Sequence, residues 1–354
     1  MSPDLPPPTL LMQVDGAALS ANWRALNRLG GGAQTGAAVK AEGYGLSIDA
    51  VMPPLVKAGA RTFLVAHFSE VCALLDHVDA SQIAVLHGPA SAEQAAFAIA
   101  TGVVPVINTI AQAKIWHEAG GGAEGTLCHL MVDTGINRLG LAMSDIGDPA
   151  ISGLKVDILM SHLASADEDV ALNAMQLSRF REIAATFPAR RRSLANSAGI
   201  ALGQDYAFDL TRPGLSLYGG IARDELAGLI APVVSLQAQV LQMRDLSPGD
   251  GVGYNTIFAA DRPLRAATVS LGYADGFLRC RGPGAALLFE GAHLPIIGRV
   301  SMDLTIVDAT AAPNLQEGDF LSVPFDLRET STQSGLSQYE LLTGLGRRFL
   351  RQPS

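Results

Sequence analysis

From about residue 10 to 225, short apolar runs alternate with stretches whose apolar residues recur at helical spacing. The runs at 36–40, 62–66, 82–86, 103–107, 128–133, 156–161, 193–196 and 215–219 read as strands. Between them, segments such as 69–77 (SEVCALLDH) and 92–100 (AEQAAFAIA) read as amphipathic helices. Strands that return every ~20–30 residues with helices between them predict a (β/α)8 TIM barrel, an α/β fold, rather than an open sheet. After about residue 226 the texture changes. Residues 232–243 partly alternate, and 267–271, 294–297 and 304–307 are short β-like runs. Turn signals stand at Ser247-Pro248-Gly249-Asp250 and Glu317-Gly318-Asp319. The chain is therefore expected to hold a barrel over 10–225 and a mainly β C-terminal domain over 226–354, with a closing helix at 338–350.

Composition narrows the function classes. A chain of 354 residues can bury two cores, and 48% apolar against 17% charged residues marks it as globular. The net charge of −9 argues against a nucleic-acid partner. The arginine clusters at 190–192 and 347–348 read as solvated helix ends. Cys72, Cys128 and Cys280 lie far apart with no CxxC spacing, so neither a disulfide framework nor a metal site is expected. The opening MSPDLPPPTLLMQVD has no basic n-region or long apolar core, and no apolar run approaches the ~20 residues that span a bilayer. A cytoplasmic protein without a membrane partner is expected.

The polar residues carry the chemistry. Lys40, His87, Asn108, Arg138, His162, Asn196 and Ser197 each fall at or just beyond a predicted strand end. In a barrel those ends form the active-site face. A lysine there is either an amine whose pKa burial lowers for imine formation or a side chain that snorkels to water. The strings Asn196-Ser197-Ala198-Gly199 and 212–219 (RPGLSLYG) could cradle a phosphate with hydroxyls and backbone N–H groups, or could be plain turns. Arg138 could grip a carboxylate through two parallel hydrogen bonds. His162 could lie against a flat ring, while His67, His77, His87, His117, His129 and His293 read as structural. Alone, 272–276 (GYADG) is only a loop signal.

Taken together, VKAEGYG, DTGINRLG, SHLASAD, NSAG, RPGLSLYGG, VGYN, LGYADGF and GRVSMD stand in the order and approximate spacing of the bacterial alanine racemases. The chain resembles that family from about residue 14 to 339. The resemblance implies a pyridoxal 5'-phosphate enzyme, an isomerase that interconverts L- and D-alanine and supplies D-alanine for peptidoglycan. It implies a homodimer with shared active sites. Lys40 matches the lysine that holds the cofactor and serves as one base. Tyr273 matches the opposite-face base, which the family delivers to the neighbouring subunit. Arg212 resembles the arginine facing the pyridine nitrogen, and His162 the residue packed on the ring. Tyr44, Asn196, Ser197, Gly214, Leu215 and Tyr339 fall at cofactor positions, mostly around the phosphate. Arg138 and Met302 resemble the contacts to the substrate carboxylate.

The implied roles are physically coherent. Racemisation takes a proton from one face and returns it to the other, so an acid/base group must stand on each side. An arginine only donates, so a pyridine nitrogen opposite Arg212 stays unprotonated and makes a weaker electron sink. That favours racemisation over elimination and transamination, and counts against a barrel-type amino-acid decarboxylase. A racemase of serine or of broader range remains open, as does a non-catalytic carrier, although small single-barrel carriers lack the GYADG domain. The chain also departs from the family pattern. Glu42, Gly43, Leu46 and Ser47 differ around the lysine, Met131 stands where some relatives carry a carbamylated lysine, and Asn137 replaces a frequent glycine.

Overall fold

Parallel strands at Ala37–Ala38, Phe63–Val65, Ile83–Val85, Val104–Ile107, Cys128–Met131, Val156–Met160 and Ala189–Ser193 follow one another in chain order across a single sheet. Each of the central strands is buried almost throughout, as a parallel sheet covered on both faces requires. The computed structural model describes residues 6–123 and 126–353. It divides into Ala17–Ala231 and a second unit made of the segment up to Gly16 together with Pro232 onward. Residues 1–5 of the opening MSPDLPPPTLLMQVD lie outside the described residues.

The eighth strand is Leu210–Thr211, parallel to Gln34–Thr35. Its backbone is bonded on both sides. Asp209 and Arg212 donate N–H groups to the carbonyls of Arg192 and Ala195, while Gln34, Gly36 and Ala38 donate to those of Asp209, Thr211 and Pro213. The ring closes, and the barrel reading holds.

Two of the expected strands sit elsewhere. Residues 215–219 are not a strand: Leu215–Tyr218 form a fully buried 3-10 turn ended by left-handed Gly219. A short apolar run does not distinguish a buried strand from a buried helical turn. The seventh strand is Ala189–Ser193 rather than 193–196, so the arginine cluster lies in a strand and not at a helix end. Arg191 pairs with Asp157 at 2.5 Å on the neighbouring strand. The ion pair, invisible to hydropathy, lets a charged strand join the sheet.

In the second unit the long strand Val234–Leu246 is antiparallel to Leu10–Val14, Phe320–Val323 and Leu264–Val269. Leu10–Val14 also pairs in parallel with Leu350–Pro353. The segment from residue 10, assigned to the barrel by sequence, therefore belongs to the β unit. Its buried Leu10, Met12 and Val14 alternate with more exposed residues, the pattern of a sheet with one wet face. The closing helix is shorter than expected, Gln338–Thr343, and starts at a Ser337–Glu340 capping box. No helix among the described residues is long and apolar enough to cross a membrane. The described residues hold no cluster of three metal-ligating side chains.

Candidate active site

Lys40 follows the first parallel strand and opens a turn of unusual hand. Ala41, Glu42, Gly43 and Tyr44 all have φ between 54° and 62°. Left-handed geometry costs about 1–2 kcal/mol per non-glycine residue, so the turn must be held from outside. Internal bonds run from Gly43 N–H to Val39 O and from Gly45 N–H to Ala41 O. The external tie is Glu70, whose carboxylate accepts the N–H groups of Ala41, Ala66 (2.7 Å) and His67 (2.9 Å). Glu70 thus fastens the lysine turn to the end of the next strand.

Burial, and then the Arg138 guanidinium, push the Lys40 amine below the usual lysine range, while Glu70 opposes them. A larger neutral fraction makes the amine a better nucleophile. His162 belongs to the same neighbourhood. Burial, followed by Arg212, Arg138 and Lys40, lowers its imidazole to about 3, so the ring is neutral at pH 7. Burial, then His67 and Lys40, also lower the imidazole of His87, whose ring stands edge-on to His67 at 4.2 Å.

Arg212 is buried and donates to Ser193 Oγ and Ser161 O. Among the described residues no carboxylate pairs with it, and burial lowers it to about 10, which leaves it charged. A guanidinium has five N–H donors, so some remain for a further acceptor. Gln176, fully buried on the helix Ala171–Thr186, joins the two neighbouring loops. It donates to Thr134 Oγ1 and His162 O and accepts the Ala164 N–H. Asn137 sits at φ 53°, a left-handed value that asparagine tolerates, which accounts for its standing in a glycine position. Met131 packs with Val106, Ile158, Met160 and Leu210, so this position is part of an apolar cluster. Arg138 is exposed.

A cradle of small and hydroxylic groups completes the barrel part. Ser197 Oγ accepts the N–H groups of Gly214 (3.0 Å) and Ser216 (3.2 Å). Ser216 Oγ is buried and has no hydrogen-bond partner among the described residues. A Cβ on Gly214 would stand 2.1 Å from Tyr44 Oη, so only glycine lets that phenol approach. Tyr44 stacks on Tyr218 at 4.6 Å, and Tyr218 donates to Ala38 O. Leu215 is buried at the start of its turn. Asn196 Oδ1 accepts the Gly199 N–H, a helix cap.

The remaining candidates lie in the β unit. Tyr273 N–H donates to Ser301 O, and Ala274 N–H to Met302 O, so the GYADG and SMD loops are joined. A Cβ on Gly272 would meet Met302 O at 2.2 Å. The Arg279 guanidinium stands 5.2 Å over the Tyr273 ring. Arg348 ties Asp275 (2.6 Å) to Asp303 (2.7 Å), so this arginine, too, is an organising residue and not a solvated helix end. Met302 is 54% exposed, and Tyr339 is exposed on the Gln338–Thr343 helix.

The barrel thus brings together Lys40, Arg138, His162 and Arg212, and beside the strand ends Tyr44, Ser197, Gly214 and Leu215. The β unit presents Tyr273 and Met302 on joined loops, with Tyr339 on a separate helix. Sequence reading missed Glu70, Gln176 and Arg279, and took Arg348 for a solvated helix end. Glu70 alone left a trace, a carboxylate at the start of a predicted helix. Replacing Glu70 with glutamine is expected to cost about 1–3 kcal/mol of stability through its backbone donors. Because Glu70 raises the Lys40 pKa, its removal should also shift the pH midpoint for amine labelling of Lys40 in cofactor-free protein to lower pH. An unchanged midpoint would restrict Glu70 to a structural role.

Comparison with known proteins agrees in both units. Residues 14–222 match the family model for the alanine racemase N-terminal domain, and 233–353 that for the C-terminal domain. An alanine racemase of Acidiphilium cryptum is 38% identical, with 97% of this chain and 98% of the relative covered. A biosynthetic alanine racemase of Agrobacterium fabrum is 39% identical over 97% and 93% of the two chains. The crystal structure of alanine racemase from Bartonella henselae with covalently bound pyridoxal phosphate superposes with a TM-score of 0.89 at 35% identity, covering 98% of this chain and all of that one.

Proposed function

The chain belongs to the alanine racemase family, and on that premise we propose that it interconverts L- and D-alanine by proton transfer at Lys40 and Tyr273. The supporting observation is that burial, and then Arg138, depress the Lys40 amine in the neighbourhood of a buried Arg212 that, among the described residues, pairs with no carboxylate. When bound, pyridoxal phosphate delocalises the electron pair left at Cα as the α-proton departs.

The residues of the barrel fit that group. Ser197, Ser216 and Tyr44 hydroxyls, with the N–H groups around Gly214 and Leu215, suit a phosphate, and the orphaned Ser216 Oγ suits a further acceptor. Asn196 supports the cradle by capping the helix that carries Ser197. Arg212 presents donors to a ring nitrogen and cannot return a proton to it. Neutral His162 can pack on a ring without adding charge. Lys40 carries the proton on its side, and Arg138 and Met302 orient the substrate carboxylate. Tyr273 and Tyr339 come from the β unit, in a homodimer with shared active sites.

The substrate is a small amino acid, with no nucleic-acid or membrane partner, and the setting is cytoplasmic. The product D-alanine serves peptidoglycan synthesis, in keeping with the biosynthetic name of the Agrobacterium relative. Incubation of L-alanine with enzyme and pyridoxal phosphate, followed by chiral chromatography, should approach equal amounts of both enantiomers. A larger yield from L-serine, or release of carbon dioxide, would overturn the assignment.

A further inference from the structure

Arg281 lies far from the barrel chemistry in sequence, at the end of the short turn Arg279–Arg281 in the β unit. It is only 2% exposed, and burial lowers it to about 10. Buried charges are ordinarily paired. Arg281 is not: among the described residues no carboxylate reaches it, and its one hydrogen bond as a side-chain donor runs to Pro324 O at 3.2 Å. Its Nε is buried and has no hydrogen-bond partner among the described residues. The guanidinium lies over the rings of Phe277 and Phe325, at 4.5 and 5.4 Å, contacts that favour a cation.

Arg281 is among the residues lining a cavity of about 310 Å³. Thr330, His293, Asp326 and Glu329 also line it, and both carboxylates belong to exposed residues. The arrangement is a buried cation with acid groups nearer the water. A planar guanidinium matches a carboxylate in two parallel hydrogen bonds. A dianion such as phosphate would meet repulsion from Asp326 and Glu329, whereas an ammonium group would be attracted to them. From this geometry we infer a second binding site, outside the catalytic machinery, for a small zwitterionic amino acid with its carboxylate on Arg281 and its ammonium toward Glu329 and Asp326. The space exceeds that of a two- or three-carbon amino acid, so it also admits water.

The test is calorimetric titration of the cofactor-loaded enzyme with glycine, acetate and inorganic phosphate. Wild-type enzyme is expected to take up two glycines per chain, one at the catalytic centre and one here. Arg281→Met, which keeps an apolar side chain between the two phenylalanine rings, should take up one, with turnover of alanine unchanged. Glu329→Gln alters an exposed residue and should fold normally. It should weaken the second glycine by about tenfold and leave acetate unaffected, the loss expected for one charge-assisted contact. One glycine per chain in wild type overturns the site. Phosphate or acetate binding there more tightly than glycine overturns the zwitterion assignment. Loss of catalytic turnover in Glu329→Gln would show that the two sites are not separate.

Discussion

Replacing Lys40 with alanine is expected to remove both racemisation and the visible absorbance of covalently held cofactor. The amine is where a covalent link and one of the two proton transfers converge, so kcat should fall by at least about 10³-fold. The variant should still fold. The turn after Lys40 is held by backbone bonds and by Glu70, which meets the Ala41 N–H and not the lysine side chain. A small alkylamine added to the variant should restore part of the activity, a result that a collapsed site would not give. Retention of the absorbance and of turnover within tenfold of wild type would exclude Lys40 from both roles.

Tyr273→Phe should produce an asymmetric defect. The ring beneath Arg279 and the backbone bond to Ser301 are retained, so only the hydroxyl is lost. Removing one acid/base group costs about 10²–10⁴-fold on the step it serves. In deuterated buffer, α-proton exchange from one enantiomer should drop by that factor while the other still exchanges through Lys40. Equal losses from both enantiomers would contradict a two-base division. The shared-site dimer makes a further prediction for the same variant. Co-refolded mixtures of the Lys40→Ala and Tyr273→Phe chains should regain activity that neither has alone. Lack of any gain would argue for a site complete within one chain.

The candidate site was legible in parts for definite reasons. Lys40, Arg138, His162 and Ser197 were visible because polar residues at the ends of apolar runs break the hydrophobic pattern. Tyr273 and Met302 were carried only by the resemblance, since a glycine-rich loop has no periodicity of its own. Gln176 could not be found this way. It lies inside a helix of low amphipathicity, and its burial depends on two loops reaching it from other strands. Arg348 likewise became meaningful only when Asp275 and Asp303 were brought to it.

Hydropathy alone determined a barrel followed by a β domain, because burial of apolar strands is a local property that repeats along the chain. It also located most of the strands to within a few residues. Tertiary structure decided the rest. It made a strand of 189–193 by giving Arg191 the carboxylate of Asp157, and a buried turn of 215–218 by placing Gly214 against Tyr44. It moved Leu10–Val14 into the β sheet and set Glu70 on the Ala41 N–H. Each of these outcomes depends on a partner distant in sequence, and a hydrogen bond or ion pair has no energy until that partner is within reach.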